Sequence, residues 1–229
     1  MVCMRHVRTT FVALAIGATS ASEAALPAFA HDRTPHGKLM QEETTRVRVD
    51  PDYKPPDPAK LGGSWDLVDH NRRLVTDKDF RGKWMVIFFG FAGCREACPG
   101  ALMTMSEAID ELGPEGEAIQ PLFVDFSMEE PDYLGLAQFV SNFHPRMIGL
   151  TGDRKQTFQA VRKFKVRRDY AMTNYSTKET GPRINHTTYI YVVDPEGRTR
   201  GYFHDSLPVE GYVDEIRYHL ARFEAEEHK

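Results

Sequence analysis

The chain has 229 residues, 41% hydrophobic and 27% charged, a composition that excludes a wholly disordered or collagen-like polypeptide. Its 29 basic and 33 acidic residues give a formal charge of −4, which argues against a dedicated nucleic-acid binder. No apolar run approaches the ~18 residues that cross a bilayer, so no stable membrane span is expected, and three cysteines are too few for a disulfide-scaffolded mini-protein.

Residues 1–30 read as a cleavable signal peptide. Arg5, His6 and Arg8 form a basic start, Phe11 to Ala18 an apolar stretch, and Ala28-Phe29-Ala30 a cleavage signature that leaves His31 as the new N-terminus. The expected destination is therefore export, to a periplasmic, soluble form. Cys3 is lost with the leader. Cys94 and Cys98 remain, a pair that an oxidising compartment can join. Residues 31–60 hold five of the 14 prolines and one aromatic, Tyr53. They read as a flexible Pro-rich linker, with Pro55-Pro56-Asp57-Pro58 favouring polyproline II.

From Leu61 to the C-terminus at 229 the patterning is globular. Trp65 to Val68 and Arg73 to Thr76 read as two short strands around a turn at His70-Asn71. Trp84 to Phe89 is a continuous apolar run that suits a central strand buried on both faces. Pro99 to Leu112 has helical spacing at Leu102, Met105, Ala108, Ile109 and Leu112, and Gly113-Pro114 ends it. Ile119 to Phe126 is a strand, Pro131 to Phe143 a helix, and Met147 to Leu150 a short strand. Arg154 to Phe164 is a helix expected to turn Phe158, Val161 and Phe164 inward. Thr187 to Val193 is a β-branched and aromatic strand, Asp194-Pro195-Glu196-Gly197 a type I turn, and Arg198 to Phe203 the hairpin partner. Pro208 to Phe223 closes the chain as a helix. Alternating strands and helices with two hairpins predict an α/β, thioredoxin-like fold: a mixed central sheet flanked by helices.

Cys94-Arg95-Glu96-Ala97-Cys98-Pro99 joins the 84–89 strand to the 99–112 helix. If the turn is helical, a spacing of four brings both sulfurs to one side. The helix N-terminus is expected to lower the pKa of Cys98, with Arg95 pushing the same way. Two thiolates on one face suit Cu(I) or, with more ligands, zinc; the same sulfurs can form a reversible disulfide. As a purely structural staple, so short a loop would contribute only about 2 kcal/mol. A structural zinc site wants four ligands, and no second cysteine pair exists. Composition does not choose among the histidines. His186 stands out because it precedes the 187–193 strand and follows the polar stretch 171–185, where a ligand can swing onto a metal; linker histidines such as His31 and His36 are usually inert. The basic run 162–168 reads either as a docking face for an acidic partner or as a solvated surface.

These features resemble the Sco/SenC family of copper chaperones. The resemblance covers nearly all of 61–221. It rests on GFAGCREACP (90–99), IGLTG (148–152) and NHTTYIYVVDPEG (185–197), and more loosely on VDFSMEEP (124–131). It implies a thioredoxin-like fold and copper, as Cu(I) or Cu(II), bound by Cys94, Cys98 and His186, with Asp125 near the metal. It also implies delivery of copper to, or reduction of the cysteines of, the CuA site in the copper subunit of cytochrome c oxidase. Three features depart from the family. Ala92, Arg95 and Glu96 replace its usual Thr and Pro-Asp; Phe126 and Glu129 replace its Pro and second Asp; and a leader replaces the common membrane anchor. The alternatives are a thiol-disulfide oxidoreductase and a redox or copper sensor using Cys94 and Cys98. A peroxiredoxin is disfavoured, because Phe91 and Arg95 stand where Thr or Ser would be expected.

Overall fold

The computed structural model describes residues 55–94, 97–127, 130–170, 184–186 and 188–228, with Ala97, 168–170 and 184–186 described as backbone alone. The leader and residues 31–54 of the expected linker lie outside this range.

The strands in chain order are β1 (Asp66–Asp69), β2 (Leu74–Thr76), β3 (Trp84–Gly90), β4 (Ile119–Asp125), β5 (Ile148–Thr151), β6 (Arg168–Tyr170), β7 (Ile184–His186), β8 (Tyr189–Val193) and β9 (Thr199–His204). The helices are α1 (Ala97–Glu111), α2 (Tyr133–Val140), α3 (Arg154–Lys163) and α4 (Val209–Glu227). Seven strands form one sheet in the order β2-β1-β5-β4-β3-β8-β9, while β6 and β7 pair separately. At the centre, β3, β4 and β5 run parallel, with β8 and β1 antiparallel on either side. This is the mixed sheet that the alternating pattern predicts.

β3 is buried along its whole length, as its unbroken apolar run requires. Its alternate residues feed two cores. Trp84, Val86 and Phe88 join α1, α2 and α4 on one face; Met85, Ile87 and Phe89 join α3, Trp65 and Phe80 on the other. On α1, Leu102, Met105, Ala108, Ile109 and Leu112 all face the first core, matching the helical spacing. Each such fully buried side chain contributes about 1.5–3 kcal/mol.

Several boundaries differ from those expected. α1 begins at Ala97, so Cys98 lies inside its first turn and Pro99 is its third residue, where no intrahelical N–H bond is forfeited. Gly113-Pro114 does not simply stop the chain but opens a 3-10 helix, Gly113–Ala118. α2 is shorter than its pattern at both ends: Asp132 caps its start through the Gly135 N–H, and Ser141 is its C-cap. In α3, Val161 and Phe164 are buried as expected, but Phe158 is 53% exposed with the Arg162 guanidinium over its ring. The buried stripe there runs through Thr157, Ala160, Val161 and Phe164, leaving Phe158 on the solvent edge. The basic run therefore splits, with Phe164 and Val166 buried and Lys165 and Arg167 exposed. The end of the expected linker is docked: Asp57 caps a 3-10 helix at Pro58–Lys60, and the Tyr202 hydroxyl donates to the Pro56 carbonyl at 2.9 Å. No described helix is long and apolar enough to cross a membrane.

Candidate metal centre

The site is built at the C-terminal end of β3. Gly90 ends the strand opposite Asp125, the last residue of β4, and its carbonyl accepts the Phe126 N–H at 3.0 Å. The chain then turns sharply, with the Cys94 N–H donating to the Phe91 carbonyl at 3.0 Å. The Cys98 backbone N–H donates to the Cys94 sulfur at 3.4 Å. This bond takes one of the N–H groups that a helix start leaves without an intrahelical acceptor. Cys94 is half-buried against the first core, while Cys98 is fully buried within it. Neither is in a disulfide. Arg95 and Glu96 lie outside the described residues.

The expected lowering of the Cys98 pKa is reversed. Its thiol is pushed well above the ordinary thiol range, first by donating to the Cys94 sulfur, then by burial, with the Cys94 and Asp205 charges adding to this; the Phe91 backbone pulls the other way. Cys98 is thus the protonated donor, and the helix N-terminus offers its backbone N–H to Cys94 instead. The sequence could not show this, because the sign depends on burial and on which sulfur accepts.

Asp125 is buried, and its carboxylate accepts from the Ser127 N–H at 3.0 Å and hydroxyl at 3.4 Å. It lies one strand from the cysteine loop, through its pairing with Gly90. His186 ends β7 opposite Arg168. Three residues later Tyr189 opens β8, whose Ile190 pairs with Phe88, so the chain enters β8 at the end of β3 that carries the cysteines. The His186 side chain and residues 171–183 lie outside the described part. Among the described residues, no group of three or more His, Cys, Asp or Glu side chains is gathered to hold a metal.

Two contributors escaped the sequence reading. Gly90 leaves room for Cys98: a Cβ there would lie 2.9 Å from the Cys98 sulfur. A glycine at the end of an apolar strand is a signal of such close approach. Asp205, just beyond β9, acts electrostatically on Cys98, and its backbone is fixed by the Tyr212 hydroxyl, which donates to its carbonyl at 3.0 Å. Nothing in the sequence brings it to the cysteines, since only sheet closure does so. Phe126, which departs from the family pattern, is buried in the second core.

Two soft sulfurs from one turn, on a rigid strand and helix, form a partial site for a thiophilic metal. The SCO1/SenC family model matches residues 53–221. The chain belongs to this family. It is 32% identical over 163 residues to the mitochondrial SCO2 homologue of Homo sapiens, covering 70% of this chain and 60% of that protein. The chain thus spans about 60% of the length of that curated relative. Yeast Sco1 with copper bound superimposes with a TM-score of 0.62 at 28% identity, covering 71% of this chain and 89% of that one. Bradyrhizobium japonicum ScoI with copper bound gives a TM-score of 0.60 at 26% identity, covering 69% and 99%. Membership of the SCO1/SenC family and the thioredoxin-like fold agree with the resemblance carried by the motifs.

Proposed function

We propose that this chain is an exported copper metallochaperone that holds Cu(I) or Cu(II) through Cys94, Cys98 and His186 and passes it to the CuA site of cytochrome c oxidase. The observation that carries the reading is the cysteine pair itself, with Cys94 and Cys98 held together by the Cys98 N–H bond at the sheet end where the chain from His186 enters β8. Copper suits this donor set: thiolates serve Cu(I), and an imidazole nitrogen adds what Cu(II) prefers. The metal is cargo. It leaves by ligand exchange, each acceptor ligand taking the place of one sulfur or nitrogen, so no change of oxidation state is needed. Asp125 lends order to the loop beside the site rather than a ligand. Residues 1–30 direct export and are cleaved, leaving the Pro-rich linker 31–60 as the N-terminal lead into the domain.

One observation favours a second reading. A half-buried first cysteine and a fully buried second one are the arrangement of an attacking and a resolving thiol. On that reading the chain reduces a disulfide in its partner. Mixing the copper-loaded protein with the reduced soluble copper domain of an oxidase subunit separates the two. Copper transfer, seen as the acceptor's own absorption and lost in Cys98→Ser, is expected. Failure to transfer, together with reduction of the oxidised acceptor by metal-free protein, would replace the chaperone reading with the reductase one.

A further inference from the structure

At the other end of the sheet lies a cavity of about 690 Å³, walled by residues 57–63, the start of β9 and the C-terminal half of α4. Thr199, where β9 begins, pairs with Val193, and Val193 with Met85 near the start of β3, whereas the cysteines follow the end of β3. We propose that this cavity binds a small multivalent oxyanion of the phosphate type.

Cationic side chains in the wall outnumber carboxylates: Lys60, Arg198, Arg200 and Arg222 against Asp57 and Glu226. Much of that charge is already engaged. Arg198 pairs with Asp194 and Glu196, Arg200 with Glu226 at 2.5 Å and Asp194 at 3.7 Å, and Lys60 reaches Asp57 at 3.9 Å. Arg222 differs. Among the described residues it makes no ion pair; its guanidinium donates to the Tyr218 hydroxyl at 2.8 Å and lies over that ring. Glu226 acts on it only at a distance, and an Arg fork without a close carboxylate is the group best shaped for an oxyanion.

The second, independent observation is His219. It is nine-tenths buried, lines the cavity, and makes no hydrogen bond among the described residues. Buried polar groups without partners are rare and ask for an explanation. The ring is pinned against β9, because a Cβ on Gly201 would collide with it. Burial, followed by the Arg200 and Arg222 charges, pushes its pKa down, so it faces the cavity neutral. A neutral imidazole has one N–H to donate to an anion, and the Arg200 and Arg222 charges beside it would attract that anion. Next to the start of β9, where Gly62 bridges Arg198, Gly62 and Gly63 both have left-handed backbone, and the only atom within 4 Å of a Cβ on Gly63 would be the Lys163 ammonium nitrogen at 3.8 Å. At Gly63 the wall is open backbone with a further cation beside it, while Gly62 is packed against Thr199 and Phe164. The inference rests on the fold and is independent of copper.

The test is an NMR titration of the reduced, metal-free full chain with pyrophosphate, with sodium chloride at matched ionic strength as control. Saturable shifts confined to Gly62, Gly63, Arg200, His219 and Arg222, absent with chloride, are expected. Arg222→Gln lies on the exposed face of α4 and should fold normally; it should weaken binding about tenfold, the loss of one charge-assisted contact. His219→Gln should weaken it as well, with the dispersion of the remaining NMR resonances serving as the check on its fold. Linear shifts spread along the 162–168 run, equal shifts with chloride, or unchanged affinity in Arg222→Gln would overturn the proposal.

Discussion

Gly90 and Cys98 are fitted to one another: a Cβ on Gly90 would stand 2.9 Å from the Cys98 sulfur and 2.9 Å from the Phe123 ring. Neither neighbour can yield easily, since both are fully buried in the first core. Gly90→Ala should therefore destabilise the domain by about 1–3 kcal/mol through overpacking, and should also weaken copper binding by shifting one sulfur. Thermal melts with and without copper check this. A normal melt with normal copper affinity would show that the contact is slack.

The two thiols should react in sequence. Cys98 is buried and holds its proton more firmly than an ordinary thiol, because it donates to Cys94 and is desolvated. Brief treatment of the reduced, metal-free protein with iodoacetamide near pH 8 should label Cys94 alone, and denaturant should release Cys98. Mass spectrometry of the digested protein reads the site directly.

Phe126 fills the second core, and its N–H bonds the Gly90 carbonyl at 3.0 Å. Phe126→Ala should cost about 3–5 kcal/mol, the usual range for a buried phenylalanine. Phe126→Pro introduces the residue the family pattern favours and additionally removes that N–H. It should be no more stable than the alanine variant, as denaturant midpoints will show.

Mild acid should destabilise the fold through two buried histidines. Burial, followed by the Arg146 charge, lowers the pKa of His144 against the opposing pull of Asp110 and Glu117; burial, Arg200 and Arg222 lower that of His219. The unfolded chain then takes up protons first, from about pH 6.5 downward. Stability from these groups is complete above that pH and falls as the pH drops through the depressed folded values. Denaturation at stepped pH should show this loss, and His144→Gln should flatten part of it.

Much of the fold could be read from residue order because its signals are local. The Trp84 to Phe89 run marks the central strand, and Leu102 to Leu112 mark the face of α1. The errors arose where tertiary contacts decide. Phe158 fits a helical stripe by spacing, but a ten-residue helix buries only a narrow face. The start of α1 was hidden because Pro99 reads as a first helical residue. The cysteine pair was legible from its position between strand and helix, but which cysteine is buried was not. His186 stood out by its place between a polar stretch and a strand, but Asp125 only through family resemblance, since it lies far from Cys94 in sequence.

The central claim is that Cys94, Cys98 and His186 form one copper site. The most direct test is titration of the reduced protein with Cu(I) and Cu(II) against a competing chelator, beside Cys94→Ser, Cys98→Ser and His186→Ala. One copper per chain is expected, with a thiolate-to-Cu(II) absorption band that disappears in both serine variants and is lost or shifted in His186→Ala. The absence of competitive binding in the unaltered protein would contradict the account, and an unchanged affinity and spectrum in His186→Ala would remove that residue from the site.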